Sequence, residues 1–235
     1  MRILILGGTS EARQLCKALV AQHAYHIIFS LAGVTHSALP VPTEMRIGGF
    51  GGVNGLVAYL ETHRIEAVID ATHPFAAQMS RHASDATLRC RIPLLRFTRP
   101  AWEAPPGARW HFVSDIEQVP HALGQIPRRV FLTTGRKDLA PFMTTPHCYL
   151  LRSIDPPCLP LPPRTIVILA RGPFALDDEI AIMRQHDIGC LVTKNAGSDA
   201  TAAKLEAARQ LGLDVVMVNR PSLPPARECT TIELQ

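Results

Sequence analysis

The chain opens with Arg2-Ile3-Leu4-Ile5-Leu6, which runs directly into Gly7-Gly8-Thr9-Ser10-Glu11-Ala12. The apolar run is too short for a helix and has no polar alternation, so it reads as a strand covered on both faces. A sheet containing such a strand needs helices on both sides, which is the parallel α/β architecture. The glycines let the backbone come close to a phosphate, and a helix starting at Ser10 directs its free N–H groups and positive dipole end at it. The turn is not G-x-G-x-x-G, and a tight strand-to-helix turn without a ligand would look the same, so both readings stand on these residues alone.

The pattern then repeats. Helix is predicted over Ser10–Gln22, with Ala12, Leu15, Cys16 and Leu19 on one face, and strand over His26–Ser30. A short strand at Glu44–Ile47 enters Gly48-Gly49-Phe50-Gly51-Gly52. It is followed by helix at Val53–His63, strand at Ala67–Ala71, helix over about 76–91 and strand at Leu94–Phe97. Proline and glycine in the segment Arg99–Trp110 interrupt the rhythm, and a weak strand and helix follow within His111–Leu123. A second series has strands at Val130–Thr134, Tyr149–Ser153, Ile166–Ala170, Gly189–Thr193 and Asp214–Val218, and helices at Leu176–His186 and Thr201–Leu211. The expected fold is α/β: two Rossmann-like domains with parallel sheets and a ligand crevice between them, residues 1–126 and 127–235.

A chain of 235 residues, 47% hydrophobic and 19% charged, is long enough for one large or two small cores. No apolar run reaches the length of a membrane span, and no signal-like segment precedes the first strand, so a cytoplasmic protein is expected. The six cysteines have no CxxC or zinc spacing and read as reduced thiols, and the histidines suggest no metal site. A net charge of +4 is mildly basic. The basic residues are not clustered and aromatics are only 6%, which favours an anionic small molecule over nucleic acid.

In an open parallel sheet, ligands bind beyond the carboxyl ends of the strands. Those ends carry the Gly7-Gly8-Thr9 turn, Ser30, Gly48–Gly52, Thr72-His73, Gly135-Arg136, Arg171-Gly172 and Lys194-Asn195. Near the second strand, Phe29-Ser30-Leu31-Ala32-Gly33 holds no acid, which leaves room for the 2′-phosphate of NADP. The glycine-rich loop, with Arg46 just upstream, reads either as a close backbone approach to a ligand or as a surface loop. His73, between a buried strand and a helix, either donates a hydrogen bond or proton to a ligand or only caps the turn. Arg136, Arg171, Lys194 and Lys204 are expected at or near strand ends, where they suit a polyanion.

These residues resemble a known family. Gly7-Gly8-Thr9-Ser10-Glu11-Ala12-Arg13, Arg46-Ile47-Gly48-Gly49-Phe50-Gly51-Gly52, Asp70-Ala71-Thr72-His73-Pro74-Phe75-Ala76 and Thr193-Lys194-Asn195-Ala196-Gly197 are similar, in this order, to motifs of precorrin-6A reductases. Lys204-Leu205-Glu206-Ala207-Ala208-Arg209 and Asn219-Arg220-Pro221 extend the likeness over nearly the whole chain. The resemblance implies NADPH-dependent reduction of one double bond of an anionic tetrapyrrole, precorrin-6A, to precorrin-6B in cobalamin biosynthesis. The cobalt-bearing form is the substrate of the anaerobic alternative. It implies that Gly7, Gly8, Thr9, Ser10 and Glu11 line the cofactor pyrophosphate and ribose, with Gly49 beside them and Ser30 near the adenosine ribose and its phosphate. Thr72 and His73 would lie near the nicotinamide, with His73 as the candidate proton donor. Arg136, Arg171, Lys194 and Lys204 would hold anionic groups of substrate or cofactor. No metal is implied, and the protein would be a monomer or homodimer.

Two other readings differ in class or substrate. A short NADP-dependent reductase acting on another polyanion fits the same loops. Tyr25, Tyr59 and Tyr149 lack the Tyr-x-x-x-Lys spacing of the common short-chain mechanism. A non-catalytic NADP sensor would bind the nucleotide without oxidising it, and would leave the cations of the second half without a role.

Overall fold

The computed structural model describes residues 1–33 and 39–231. It divides into two units, Met1–Pro100 with Ser222–Gln235, and Ala101–Pro221.

The first unit begins with β1 (Arg2–Leu6), α1 (Ser10–Ala21), β2 (His26–Leu31) and β3 (Glu44–Ile47), followed by α2 (Val53–Thr62), β4 (Ala67–Asp70), α3 (Ala77–Cys90) and β5 (Leu94–Phe97). The side chains of β1 alternate between two cores. Ile3 and Ile5 pack with Ala12, Leu15, Cys16 and Leu19 of α1, while Leu4 and Leu6 pack with Leu56 and Leu60 of α2 and Ala83 and Ala86 of α3. Covering both faces in this way is what makes an unbroken apolar run favourable, each buried Ile or Leu contributing roughly 1.5–3 kcal/mol. Thr9 caps α1 from an extended backbone, its Oγ1 accepting the Ala12 N–H at 3.0 Å.

At Pro100 the chain leaves the first unit. The second contains β6 (Arg109–Val113), α4 (Val119–Leu123), β7 (Arg129–Leu132), β8 (Cys148–Ser153) and β9 (Thr165–Leu169), then α5 (Leu176–Gln185), β10 (Cys190–Lys194), α6 (Ala203–Gln210) and β11 (Asp214–Val218). Phe131, Leu150, Leu191, Val215 and Met217 form a core with Met183 of α5 and with Leu205, Ala207 and Ala208 of α6. The chain then returns to the first unit, where β12 (Arg227–Cys229) pairs with β5.

Both sheets are six-stranded and parallel throughout, ordered β12-β5-β4-β1-β2-β3 and β6-β11-β10-β7-β8-β9. Five strands of each unit follow the doubly wound order, with the direction reversing between β1 and β4 and between β7 and β10. The sixth strands arise differently: β6 precedes the other strands of its own sheet within the second unit, whereas β12 follows the whole second unit and returns to the first.

The boundary expected near residue 126 therefore moves. β6 registers on β11, with Trp110 opposite Val215 and Phe112 opposite Met217, and Val119 and Leu123 of α4 are buried, so everything from Ala101 belongs to the second unit. Residues from Ser222 onward, expected in the second domain, belong to the first. All six cysteines are free, and burial pushes the Cys16 and Cys190 thiols up to about 11. No described helix is long and apolar enough to cross a membrane.

Candidate functional site

Strand register places a row of polar groups along the carboxyl edge of the first sheet. Arg46 of β3 lies opposite Ser30 of β2, Ser30 opposite Leu6 of β1, Leu6 opposite Asp70 of β4, and Asp70 opposite Arg96 of β5. Glu228 of β12 completes the row. The turn after β1 rises from its middle, beside the reversal of strand order where α/β sheets take their ligands.

Gly7 needs to be glycine because a Cβ there would lie 2.3 Å from Cζ of the buried Phe29 ring. Its N–H donates to the Ser30 carbonyl at 2.8 Å, tying the turn to the end of β2. Gly8 has φ +128°, and nothing lies within 4 Å of where its Cβ would be. The peptide is thus open beside the start of α1, a cradle that fits a phosphate. Thr9 Oγ1 also donates to the Ala71 carbonyl at 3.2 Å, linking the first turn of α1 to the end of β4.

Glu11 lies in that first turn, where a bare carboxylate would repel a bound phosphate. It is paired with Arg99, whose Nη1 is 2.6 Å from Oε1, and it accepts the Ser10 hydroxyl at 2.9 Å. Burial pushes the Glu11 carboxyl up, but its backbone hydrogen bond and the Arg99 guanidinium outweigh this and hold it below the usual carboxylate range. Arg99 has no counterpart among the residues expected from sequence.

On the other side of the row, Arg46 organises the glycine-rich loop. Its Nη1 donates to Ser30 Oγ at 3.0 Å and to the Gly48 carbonyl at 2.8 Å, and its Nη2 donates to the Gly49 carbonyl at 3.1 Å. The guanidinium carbon lies 3.8 Å from the centre of the Phe50 ring. Gly48, Gly49, Gly51 and Gly52 all have open space where a Cβ would sit, so the loop presents bare backbone. Ser30 is buried and carries the Arg46 guanidinium on its hydroxyl.

Beyond β4, the Asp70 carboxylate accepts the Thr72 N–H at 3.2 Å and the Thr72 hydroxyl at 2.7 Å. Its other oxygen faces the buried Arg96 guanidinium at 3.6 Å, and Arg96 also binds Glu228 at 3.1 Å and the Pro224 carbonyl at 3.0 Å. The returning segment therefore helps to fix the Asp70–Thr72 turn through Arg96. His73 is exposed, and its Nδ1 accepts the Phe75 N–H at 3.2 Å. A neutral ring held in this way carries its proton on Nε2.

In the second unit, three of the four expected cations occupy loops at the carboxyl edge. Arg136, after β7, donates to the Pro156 carbonyl at 3.1 Å and lies 4.0 Å from Asp155; Lys194, ending β10, is paired with Asp138; Arg171, after β9, is exposed. Lys204 differs. It belongs to α6 and is only 4% exposed, its Nζ donating to the Thr201 carbonyl at 2.6 Å and lying 4.7 Å from the centre of the Trp102 ring. Burial first, and then the Arg152 charge, push Lys204 down to about 7, with Glu179 pulling the other way. It is a core residue and not a strand-end cation. Arg152 and Glu179 form a buried ion pair beside it, one that had no signal in the sequence.

The segment Thr193–Gly197 also anchors both chain crossings. Asn195 accepts the Trp102 N–H at 2.7 Å and donates to the Trp102 carbonyl at 3.0 Å, while Arg220 donates to the carbonyls of Asn195 and Ala196 at 2.9 and 3.3 Å. No group of three His, Cys, Asp or Glu side chains among the described residues could hold a metal.

The family model described as "Precorrin-6x reductase CbiJ/CobK" matches residues 2–234. A precorrin-6A reductase of Rhodococcus erythropolis is 49% identical over 97% of this chain and 92% of its own length. A cobalt-precorrin-6A reductase of Priestia megaterium is 28% identical over 98% of this chain and 95% of its own. A solved structure titled "CobK precorrin-6A reductase" superposes with a TM-score of 0.93 at 45% identity, covering 99% of this chain and 93% of that one. This chain belongs to the CbiJ/CobK precorrin-6x reductase family.

Proposed function

We propose that this chain is a precorrin-6A reductase, reducing one double bond of the macrocycle to give precorrin-6B with NADPH as the reductant. The observation that carries the reading is the carboxyl edge of the first sheet. There an open Gly8 peptide beside the start of α1, the bare backbone of Gly48 and Gly49, and Ser30 in place of an acid fit a phosphorylated dinucleotide. Metal-free precorrin-6A is preferred as substrate because the relative named for it is 49% identical, against 28% for the one named for the cobalt form.

The first unit holds the cofactor. Gly7 and Gly8 allow the pyrophosphate to approach, Thr9 and Ser10 offer backbone N–H donors at the start of α1, and Arg99 offsets the Glu11 charge beside them. Thr72, fixed by Asp70, and His73 border the nicotinamide end. When bound, the nicotinamide supplies the hydride. His73, once protonated from solvent to the imidazolium, delivers the Nε2 proton to the neighbouring carbon. It is left neutral, its Nδ1 again free to accept the Phe75 N–H after the ring's remaining proton shifts to Nε2. In the second unit, Arg136, Arg171 and Lys194 orient the carboxylate arms of the tetrapyrrole, and Asp155 and Asp138 hold Arg136 and Lys194 in place before the substrate arrives. The enzyme works in the cytoplasm as a monomer or homodimer.

The test is NADPH consumption with metal-free precorrin-6A, run beside the cobalt-bearing macrocycle. Faster turnover of the metal-free form is expected. Turnover of the cobalt form alone would move the substrate assignment, and no turnover of either would overturn the reductase reading.

A further inference from the structure

The arginines at the carboxyl edge of the first sheet differ in what neutralises them. Arg96 has Asp70 and Glu228, and Arg99 has Glu11. Arg46 has no carboxylate within 4.0 Å among the described residues; its acceptors are two carbonyls and one hydroxyl. Of its five N–H groups, both on Nη1 and one on Nη2 are used in these bonds. That leaves the second Nη2 hydrogen and the Nε hydrogen without a partner among the described residues. The guanidinium is also held flat on Phe50, with Tyr59 beyond at 5.1 Å. It is therefore a fixed cation with a free donor edge, and the ordering cost of an anion site has already been met by the fold.

Its position states what the anion is. In this strand order the adenosine ribose lies past the end of the second strand, beside the first glycine turn. Ser30 ends that strand, its carbonyl receives the Gly7 N–H, and Arg46 lies directly opposite it in register. An acid at Ser30 would accept the 2′-hydroxyl of NADH; a serine that instead holds an arginine favours a 2′-phosphate.

We propose that Arg46 selects NADPH over NADH by binding the 2′-phosphate through its Nε and Nη2 edge, with Ser30 as the positioning residue that holds the guanidinium in register. The proposal rests on the dinucleotide reading of this edge given above and names the group that sets its specificity.

NADP⁺ and NAD⁺ differ only in the 2′-phosphate, so their binding to the full-length protein, measured by calorimetry without turnover, isolates the effect. The wild type is expected to bind NADP⁺ about 30-fold more tightly or better, the worth of one or two charge-assisted hydrogen bonds. Arg46→Gln removes most of that ratio. Since Arg46 also shapes the glycine loop, Ser30→Asp is the second variant: it leaves the loop contacts of Arg46 in place, sets a carboxylate against the phosphate, and inverts the ratio toward NAD⁺. If Arg46→Gln weakens both nucleotides equally and so leaves the ratio at its wild-type value, Arg46 shapes the loop without selecting the nucleotide and the proposal is overturned; inversion by Ser30→Asp then shows only that the 2′-phosphate lies beside position 30. A wild type that binds both nucleotides equally removes the NADPH reading together with the proposal. A wild type that prefers NADP⁺, with a ratio neither variant alters, overturns the role of Arg46 alone.

Discussion

Replacing Glu179 with alanine is expected to lower the unfolding free energy by about 3–5 kcal/mol, the cost of breaking a buried ion pair from one side. Glu179 is fully buried and holds Arg152 through both carboxylate oxygens; Arg152 in turn stacks on Phe174, its guanidinium carbon 3.8 Å from the ring centre. Without Glu179, Arg152 loses the carboxylate paired with it and Lys204 loses the charge that offsets its burial. The pH dependence has a definite sign. In the wild type Lys204 is pushed down from 10.5 to about 7, so its burial penalty is fully present below about pH 7. The penalty is relieved as pH rises from there toward 10.5, where the unfolded chain keeps the proton that the native protein has shed. Removing Glu179 lowers the Lys204 value further, so the deficit of the variant is greatest at the acid end and shrinks as pH rises through 7. Denaturant unfolding of both proteins at pH 6 and pH 8.5 measures it. A deficit below about 1 kcal/mol, or one that grows with pH, would contradict this account of the cluster.

The second large effect reverses an ordinary expectation. Gly55 lies within α2, where alanine normally gains about 1 kcal/mol over glycine. Here the alanine Cβ would fall 1.7 Å from the Phe50 carbonyl oxygen, a backbone atom that cannot swing aside. The glycine loop, with the ring on which Arg46 rests, has to move, and the steric term outweighs propensity. Gly55→Ala should cost about 2–3 kcal/mol net and weaken NADP⁺ binding. Gly49→Ala is the control for stability, since nothing lies within 4 Å of its Cβ position. Thermal unfolding of the two variants separates the cases; equal stability would mean that the loop is not seated on α2 as described.

The sequence reading was good wherever local chemistry and tertiary packing agree. Arg2–Leu6 is buried on both faces, as its unbroken apolar run requires, and Thr9 caps a helix that starts at Ser10. The last strand was not legible: Arg227-Glu228-Cys229 has no apolar run and is a strand only because β5 is there to pair with it. The division at Pro100 and Pro221 differs from the boundary expected near residue 126 for the same reason, since the sheets that β6 and β12 join are set by long-range pairing and not by local composition. Lys204 was misplaced although a signal existed. Ala207, Ala208 and Leu211 follow it at helical spacing, which puts it on the apolar face of α6. Arg46 was seen only as a neighbour of the glycines, because its bonds to Ser30 and Gly48 require β2 and β3 to lie side by side.

The most direct test of the account is the fate of the hydrogen on the cofactor. With NADPH carrying deuterium at both C4 positions, the purified enzyme should convert precorrin-6A to a product containing one deuterium, and the same reaction in deuterated water with unlabelled NADPH should place the second hydrogen from solvent by way of the acid. A product that gains no deuterium from the labelled cofactor, or no product at all while the cofactor stays bound, would contradict hydride transfer at this site.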